Sequence, residues 1–307
     1  MTPPQKKNNF FFADLFSAER RKRFRRGLRI RALLAALPLL KLLPPGVGAA
    51  LGTLAWYLSP RQRRLAREHL AIAFPEKPQG ERDAIGRHSF ANLGRAALEA
   101  ARGDATRVQL APPDEALLRA AQAEGHGVVL VTGHIDNWEL FARRIAMLGL
   151  PCGTVAKEAQ DPRLTELLQR SRASAGLRVF WRGSPMSARE LLRFLRAGGM
   201  LGILIDQDTR VAGQFVPFFG RPAFTPRAAG DLAVRLGAPM IFGCAHRVAG
   251  NVHRIVLRRI DVPRTGDREQ DSLALTTAAT RAIEDEIRAN PAEWVWMHPR
   301  WRTPPPM

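Results

Sequence analysis

The sequence of 307 residues contains very little cysteine, only Cys152 and Cys244. Two cysteines are too few for a disulfide framework, and their spacing is not that of a metal-ligand motif. We interpret them as small buried apolar residues of a reducing compartment. The chain is also poor in acidic residues, with 28 Asp and Glu against 47 Lys and Arg, which gives a formal net charge of +19. This excess favours anionic partners, namely nucleic acid, an acidic membrane face or an acidic protein.

The chain does not have the composition of a disordered or fibrous protein, because 46% of its residues are hydrophobic. Its length suits one large domain or two ordinary ones. Strand-like apolar runs alternate with stretches of helical periodicity from residue 60 onward, which predicts an α/β fold with a mainly parallel central sheet and helices on both faces. The predicted strands lie at 127–132, 178–181, 200–205, 239–245 and 253–258. The predicted helices lie at 60–74, 81–102, 137–148, 163–175, 187–197, 226–237 and 271–289.

The amino-terminal part of the chain is expected to attach to a membrane. Residues 20–31 carry eight positive charges, and residues 32–58 form an apolar stretch whose one charge is Lys41. Pro38 and the sequence Pro44-Pro45-Gly46 interrupt this stretch, which favours an interfacial helical hairpin; a single span and a buried soluble hairpin are the alternatives. The basic run would face anionic lipid headgroups. We therefore divide the chain into a tail and membrane anchor (1–59) and a catalytic domain (60–307).

A candidate for general base catalysis follows the strand at 127–132. His134 would project from the carboxyl end of this strand, where α/β sheets place their ligands. Asp136 or Asn137 would cap the next helix, and Glu139 in its first turn could fold back to the imidazole and fix its tautomer. Asp136 is a second carboxylate that could compete for the same ring. No Ser or Cys nucleophile lies beside His134, so the histidine would activate a substrate hydroxyl directly.

The segment VTGHIDNWEL (131–140) resembles the H-x-x-x-x-[DE] signature of the lysophospholipid acyltransferase superfamily, and within it that of the late lipid A acyltransferases. The similarity extends over several ordered blocks, which makes coincidence improbable. These blocks are LAIAFPE (70–76), DPRLTELLQRSRASAGLRVFWR (161–182), IDQDTRVAGQFVPFFG (205–220) and WVWMHPRWR (294–302).

The resemblance implies a membrane-bound O-acyltransferase that moves a fatty acyl chain from an acyl carrier protein thioester, or from acyl-CoA, to a hydroxyl of a lipid A precursor. His134 would be the base and Glu139 its orienting partner, with no covalent acyl-enzyme. Substrate-binding residues would be Arg172, Arg182, Asp206 and Asp208. No metal or other cofactor is expected. The enzyme would sit at the inner membrane with its catalytic domain facing the cytoplasm, and the basic surface would attract the acidic carrier protein and the anionic membrane.

Three other interpretations remain open at this stage. A related acyltransferase would use the same base on another glycolipid, a lysophospholipid or an amino-acid lipid. A nucleic-acid-binding protein would use the positive charge against phosphates, but it should interleave basic residues with exposed aromatic ones, which this sequence does not do. A scaffold that has lost turnover would also keep the fold, although retention of His134 and Glu139 argues against it.

Overall fold

The computed structural model describes residues 27, 30, 31, 34–183, 185–249 and 251–306. Most of the basic run at 20–31 lies outside the described residues. Residues 34–40 are helical and are followed by a turn, after which the first long helix starts at Pro45. In the part of the chain that is described, no helix is both long and apolar enough to cross a bilayer.

The elements alternate along the chain as the sequence predicts. The helices are α1 (Pro45–Leu58), α2 (Pro60–Ala73), α3 (Gln79–Arg102), α4 (Pro112–Ala123), α5 (Trp138–Ala146), α6 (Pro162–Ala173), α7 (Pro185–Arg196), α8 (Ala228–Leu236) and α9 (Arg268–Ala289), and a 3-10 turn at Pro291–Glu293 follows α9. The strands are β1 (Val108–Gln109), β2 (Val128–Thr132), β3 (Cys152–Ala156), β4 (Leu177–Trp181), β5 (Met200–Leu204), β6 (Gly213–Phe218), β7 (Arg221–Pro226), β8 (Met240–Ala249) and β9 (Val252–Ile260).

A seven-stranded sheet in the order β1-β9-β8-β2-β5-β3-β4 forms the centre of the molecule. Strands β8, β2, β5, β3 and β4 are mutually parallel, whereas β9 runs antiparallel to β8. All five residues of β2 are buried, because alternate side chains of a strand point to opposite faces and helices cover both faces here. Val129 and Val131 pack with α8 and α9, whereas Val128 and Leu130 pack with α4 and α5. The predicted fold class is confirmed.

Every strand and helix predicted from residue 60 onward is present, with ends shifted by a few residues. One helix and four strands from residue 60 onward were not predicted: α4, β1, β3, and β6 and β7 of the separate hairpin. Strand β3 reads CGTVA, a short run with a glycine and a threonine that gives a weak strand pattern. It belongs to the sheet because it pairs with both β4 and β5, a long-range contact that local sequence does not reveal.

Helix α1 packs closely against α3 through glycines. A Cβ on Gly94 of α3 would lie 2.1 Å from the carbonyl oxygen of Gly48, and a Cβ on Gly52 of α1 would lie 2.0 Å from that of Phe90. Trp56 meets the ring of Phe90 edge-on at 5.3 Å. Other apolar side chains in and just before α1 are exposed, with Leu39, Leu42, Leu51, Leu54, Tyr57 and Leu58 each at least half accessible. One face of α1 is therefore buried, whereas another presents apolar groups to the outside.

The glycine contacts predict that Gly94→Ala destabilises the protein. The added methyl group would overlap the backbone of α1, and overpacking of this kind costs about 1–3 kcal/mol. The free energy of unfolding, measured by urea titration of the detergent-solubilised protein, should fall by that amount.

Gly46→Ala is the matched control, since a Cβ at Gly46 in the same helix pair meets no atom within 4 Å. This change should be neutral or slightly stabilising, because alanine favours helix over glycine by about 1 kcal/mol. Equal stability of Gly94→Ala and wild type would contradict the close packing of the two helices.

Candidate active site

The site lies where two neighbouring parallel strands end. Thr132 is the last residue of β2 and pairs with Leu204, the last residue of β5. His134 and Asp206 each follow two residues after these ends, so the register of the strands brings them together. A Cβ on Gly133 would lie 3.2 Å from Oδ2 of Asp206, so any larger residue at position 133 would crowd the carboxylate.

Asp206 holds His134 by two hydrogen bonds. The Nδ1 of the ring lies 2.8 Å from Oδ1 of Asp206, and the backbone N–H of His134 donates to Oδ2 at 2.7 Å. Burial alone would raise the pKa of Asp206, but attraction and hydrogen bonds from His134 outweigh it and lower the pKa to about 2. The carboxylate is therefore ionised at neutral pH and only accepts, so Nδ1 carries the proton and Nε2 is the basic nitrogen.

The predicted contact between Glu139 and His134 is wrong. Glu139 in the first turn of α5 instead forms a two-point ion pair with Arg172 of α6, at 2.5 and 3.2 Å. The cause is the direction of the helix: Asn137 caps α5 by accepting from the N–H of Leu140, and Glu139 then points toward α6. Glu139 thus orients Arg172, and the carboxylate that orients the histidine is Asp206.

A cavity of about 420 Å³ opens in front of the histidine. Its polar lining includes His134, Lys157, Arg172, Arg182 and Gln207. A narrow apolar cavity of about 50 Å³ adjoins it and shares Trp138, Thr154, Arg172 and Leu204 with it. Three of the predicted site residues, His134, Arg172 and Arg182, therefore line one cavity with both cationic and apolar walls.

The two aspartates predicted to bind substrate have other partners. Asp206 is 2% exposed and lies behind His134 rather than in the cavity, with Oδ2 accepting from Nε1 of Trp294 at 2.8 Å. Asp208 is 1% exposed and accepts from Arg302 at 2.9 Å and from the backbone N–H of Thr303 at 2.7 Å. The prediction that these two carboxylates bind substrate is therefore corrected, because both already accept hydrogen bonds from other groups of the protein.

Asp136 does not compete for His134. It is one of two non-glycine residues with positive φ in the described chain, at 40°, and this conformation turns its side chain toward a buried charged cluster. The cluster consists of Asp136, His253, Glu99 and Arg247; His253 contacts Asp136 through Nδ1 and lies 3.3 Å from Glu99 through Nε2. Arg247 forms an ion pair with Glu99 at 2.7 Å. The cluster fixes the loop that carries His134.

Sequence reasoning missed several residues that support this loop. The backbone N–H of Asp136 donates to the carbonyl of Glu293 at 2.8 Å, and Ile135 forms a β-bridge with Trp294. Ser89 of α3 donates to the carbonyl of Trp294 at 2.5 Å. The aromatic carboxyl-terminal block at 294–302 was a visible signal, but its contacts with positions 89, 136 and 206 are long-range.

These features define an α/β protein with a histidine–carboxylate pair at the carboxyl edge of the sheet. The family model described as bacterial lipid A biosynthesis acyltransferase matches residues 19–303, nearly the whole chain. The chain belongs to this family, as the sequence motifs predict.

Curated relatives lie within and beyond lipid A synthesis. The phosphatidylinositol mannoside acyltransferase of Mycobacterium tuberculosis (strain H37Rv) is 27% identical over 191 residues, which cover 60% of this chain and 57% of that protein. The lipid A biosynthesis palmitoleoyltransferase of Escherichia coli K12 is 25% identical over 268 residues, covering 84% of this chain and 85% of that protein. The lipid A biosynthesis lauroyltransferase of the same strain is 24% identical over 276 residues.

The buried cluster predicts that His253→Gln destabilises the protein in a pH-dependent way. Burial alone would lower the pKa of His253, but hydrogen bonds to Asp136 and Glu99 outweigh it and raise the pKa to about 9. A raised pKa stabilises the fold fully below the unfolded value of 6.5, and this contribution is lost as pH rises through 9. The variant should be about 3 kcal/mol less stable near neutral pH, and the difference should shrink at alkaline pH.

Urea unfolding of both proteins between about pH 6 and 10 measures this difference. His126→Gln, at an exposed histidine, is the control and should match wild type throughout. A stability difference that stayed constant over this range would show that His253 is not a charged member of the cluster.

Proposed function

We propose that this protein transfers a fatty acyl group from an acyl carrier protein thioester to a lipid hydroxyl, with His134 as general base. The observation that carries the proposal is the His134–Asp206 pair at the wall of a cavity that has cationic and apolar sides. Membership of an acyltransferase family supports it independently.

In this mechanism Nε2 of His134 removes the proton from the acceptor hydroxyl as its oxygen attacks the thioester carbonyl. Asp206 remains ionised and stabilises the imidazolium that forms. When the tetrahedral intermediate collapses, the C–S bond breaks and the imidazolium returns its proton to the leaving thiolate. The products are an ester and a free thiol, and no acyl-enzyme forms.

Arg172 has the position of an electrostatic stabiliser. Its side chain is 15% exposed and lines both cavities, and Glu139 fixes it from behind through two contacts. We assign Arg172 to the developing oxyanion or to a substrate phosphate, and Glu139 to the positioning of Arg172. Arg182 and Lys157 provide further positive charge on the cavity wall for phosphate groups.

The proposed acceptor is a lipid A precursor, following the named activities of the two Escherichia coli relatives. A different glycolipid is the second candidate, because the mycobacterial relative is named as a phosphatidylinositol mannoside acyltransferase. Mass spectrometry of host lipids with and without the protein distinguishes them: the lost mass identifies the acyl chain, and the altered species identifies the acceptor.

Charge and exposed apolar surface support the proposed donor and location. Acyl carrier proteins are acidic, so a chain with a net charge of +19 would attract them over long range. The exposed apolar residues in and before α1 would insert into the membrane interface, and the positive charges of the sequence at 20–31 would add attraction to anionic lipid. We place the enzyme on the cytoplasmic face of the inner membrane, where it would meet both donor and acceptor.

The mechanism predicts a large loss of acyl transfer in both His134→Ala and Asp206→Asn. Loss of the base should lower the rate roughly 10²–10⁴-fold. Loss of the carboxylate should also lower the rate strongly, because the neutral amide neither fixes the Nδ1–H tautomer nor stabilises the imidazolium. Initial rates with acyl carrier protein donor and lipid acceptor measure both effects.

His88→Ala, at an exposed histidine of α3, is the control and should keep wild-type activity. Wild-type activity in His134→Ala would refute the base. If Glu139→Gln lost as much as His134→Ala while Asp206→Asn lost little, Glu139 would be the orienting carboxylate after all.

The exposed face of α1 predicts that replacing Leu51, Leu54 and Leu58 together by serine weakens membrane binding. Each leucine is at least half exposed, and burying the exposed part of each side chain in lipid is worth about 1 kcal/mol. Affinity for anionic phospholipid vesicles, measured by co-sedimentation, should fall roughly 100-fold.

Met147→Ser and Leu273→Ser are the controls, since these exposed apolar residues lie outside α1. Those variants should bind vesicles as wild type does. Unchanged binding of the α1 variant would show that this face does not enter the membrane interface.

A further inference from the structure

A second histidine–carboxylate arrangement lies between β8 and α9. Cys244 and His246 are alternate residues of β8 and therefore project to the same side of the sheet. Glu286 of α9 faces them. The Sγ of Cys244 lies 3.2 Å from Nε2 of His246, and this nitrogen lies 3.0 Å from Oε2 of Glu286. One potential ligand atom from each residue thus lies within 4.8 Å of the other two.

Surrounding groups hold these side chains in place. Glu293 contacts the other ring nitrogen of His246, Nδ1, at 2.5 Å. Arg258 donates to Oε1 of Glu286 at 3.1 Å, which leaves Oε2 directed at His246. A carboxylate on the far nitrogen of a histidine is the usual outer contact of a metal-bound imidazole, because it fixes the tautomer and raises the basicity of the ligating nitrogen.

We propose that Cys244, His246 and Glu286 form a zinc site that links β8 to α9. Thiolate, imidazole and carboxylate are all ligands that Zn²⁺ accepts, and three protein ligands leave a fourth position for water. The thiolate and the imidazole disfavour Mg²⁺ and Ca²⁺, which prefer all-oxygen sites. On binding, the protons of the thiol and of Nε2 would pass to solvent, and the thiolate and Glu286 would balance the charge of the ion.

The same residues also resemble a nucleophile triad, with Cys244 as nucleophile, His246 as base and Glu293 behind it. The burial of the thiol argues against this role, because Cys244 is 1% exposed and packs within the core cluster beside α9. A substrate carbonyl could not reach it. A single ion needs less room, and the side chains of His246 and Glu286 remain 10% and 13% exposed.

The proposed site would support the loop of His134 through one residue. Glu293 contacts His246 through its side chain, while its carbonyl accepts from the N–H of Asp136 at 2.8 Å. The site would therefore act on the position of this loop, and its existence does not depend on which reaction the protein catalyses.

Titration of the purified full-length protein with Co²⁺, after removal of metals with a chelator, tests the proposal. We expect one equivalent to bind with a thiolate-to-cobalt charge-transfer band and with visible bands of a tetrahedral ion, and Zn²⁺ should abolish both. Cys244→Ser should remove the charge-transfer band, whereas Cys152→Ser should keep it. Glu293→Gln should keep the band but weaken binding roughly 10–100-fold.

Absence of the band in folded wild-type protein would overturn the proposal, and so would its persistence in Cys244→Ser. If Cys244→Ser does not fold, Glu286→Gln provides the second test, because this ligand lies nearer the surface: binding should weaken while circular dichroism stays unchanged. Unweakened binding in Glu286→Gln would also exclude the site. These readouts are independent of acyl transfer, so their failure would leave the proposed function intact.

Discussion

The parallel register of β2 and β5 is the constraint on which the candidate site depends. It pairs Thr132 with Leu204, so the residues two positions beyond each strand, His134 and Asp206, meet at 2.8 Å. Strand β2 is buried throughout and β5 at three of its five residues, so a slip of one strand would cost much of the apolar packing on each face of the sheet. The geometry of the pair is therefore a consequence of the core, and it needs no flexible loop to assemble it.

Distant parts of the chain stabilise the turn after β2. Trp294 donates to Asp206 through its side chain, bridges to Ile135 through its backbone and is held by Ser89 of α3. Asp136 takes up a positive φ that costs of order 1–3 kcal/mol, and its ion pair with buried His253 offsets that strain. A turn fixed from both sides holds the His134 ring at the wall of the cavity, as the proposed role of general base requires.

The sequence was sufficient for the architecture and for the place of some candidate site residues, because strand periodicity and the carboxyl-end rule are local or general properties. They locate His134, and the family resemblance adds Arg172 and Arg182, which line the same cavity. Sequence spacing points to the wrong partner for the histidine because it favours residues that are close in the chain. Glu139 is five residues from His134, whereas Asp206 is seventy-two residues away. The register of β2 and β5 determines that Asp206 is the partner, but local sequence does not reveal that these two strands pair. The contact of Asp208 with Arg302 also joins distant segments, so local sequence does not reveal it either.

The fold contains two histidines that have a carboxylate on Nδ1, and the two differ in how deeply they are buried. His134 has Asp206 on Nδ1 and lines an open cavity. His246 has Glu293 on Nδ1, but a thiol and a second carboxylate surround its Nε2 in the interior. The carboxylate behind each imidazole fixes the orientation of the ring. In the proposed mechanism, open space lets Nε2 of His134 act on a substrate, whereas in the proposed zinc site Cys244 and Glu286 direct Nε2 of His246 at a metal ion. The backbone of Glu293, which contacts the loop of His134, connects the two arrangements.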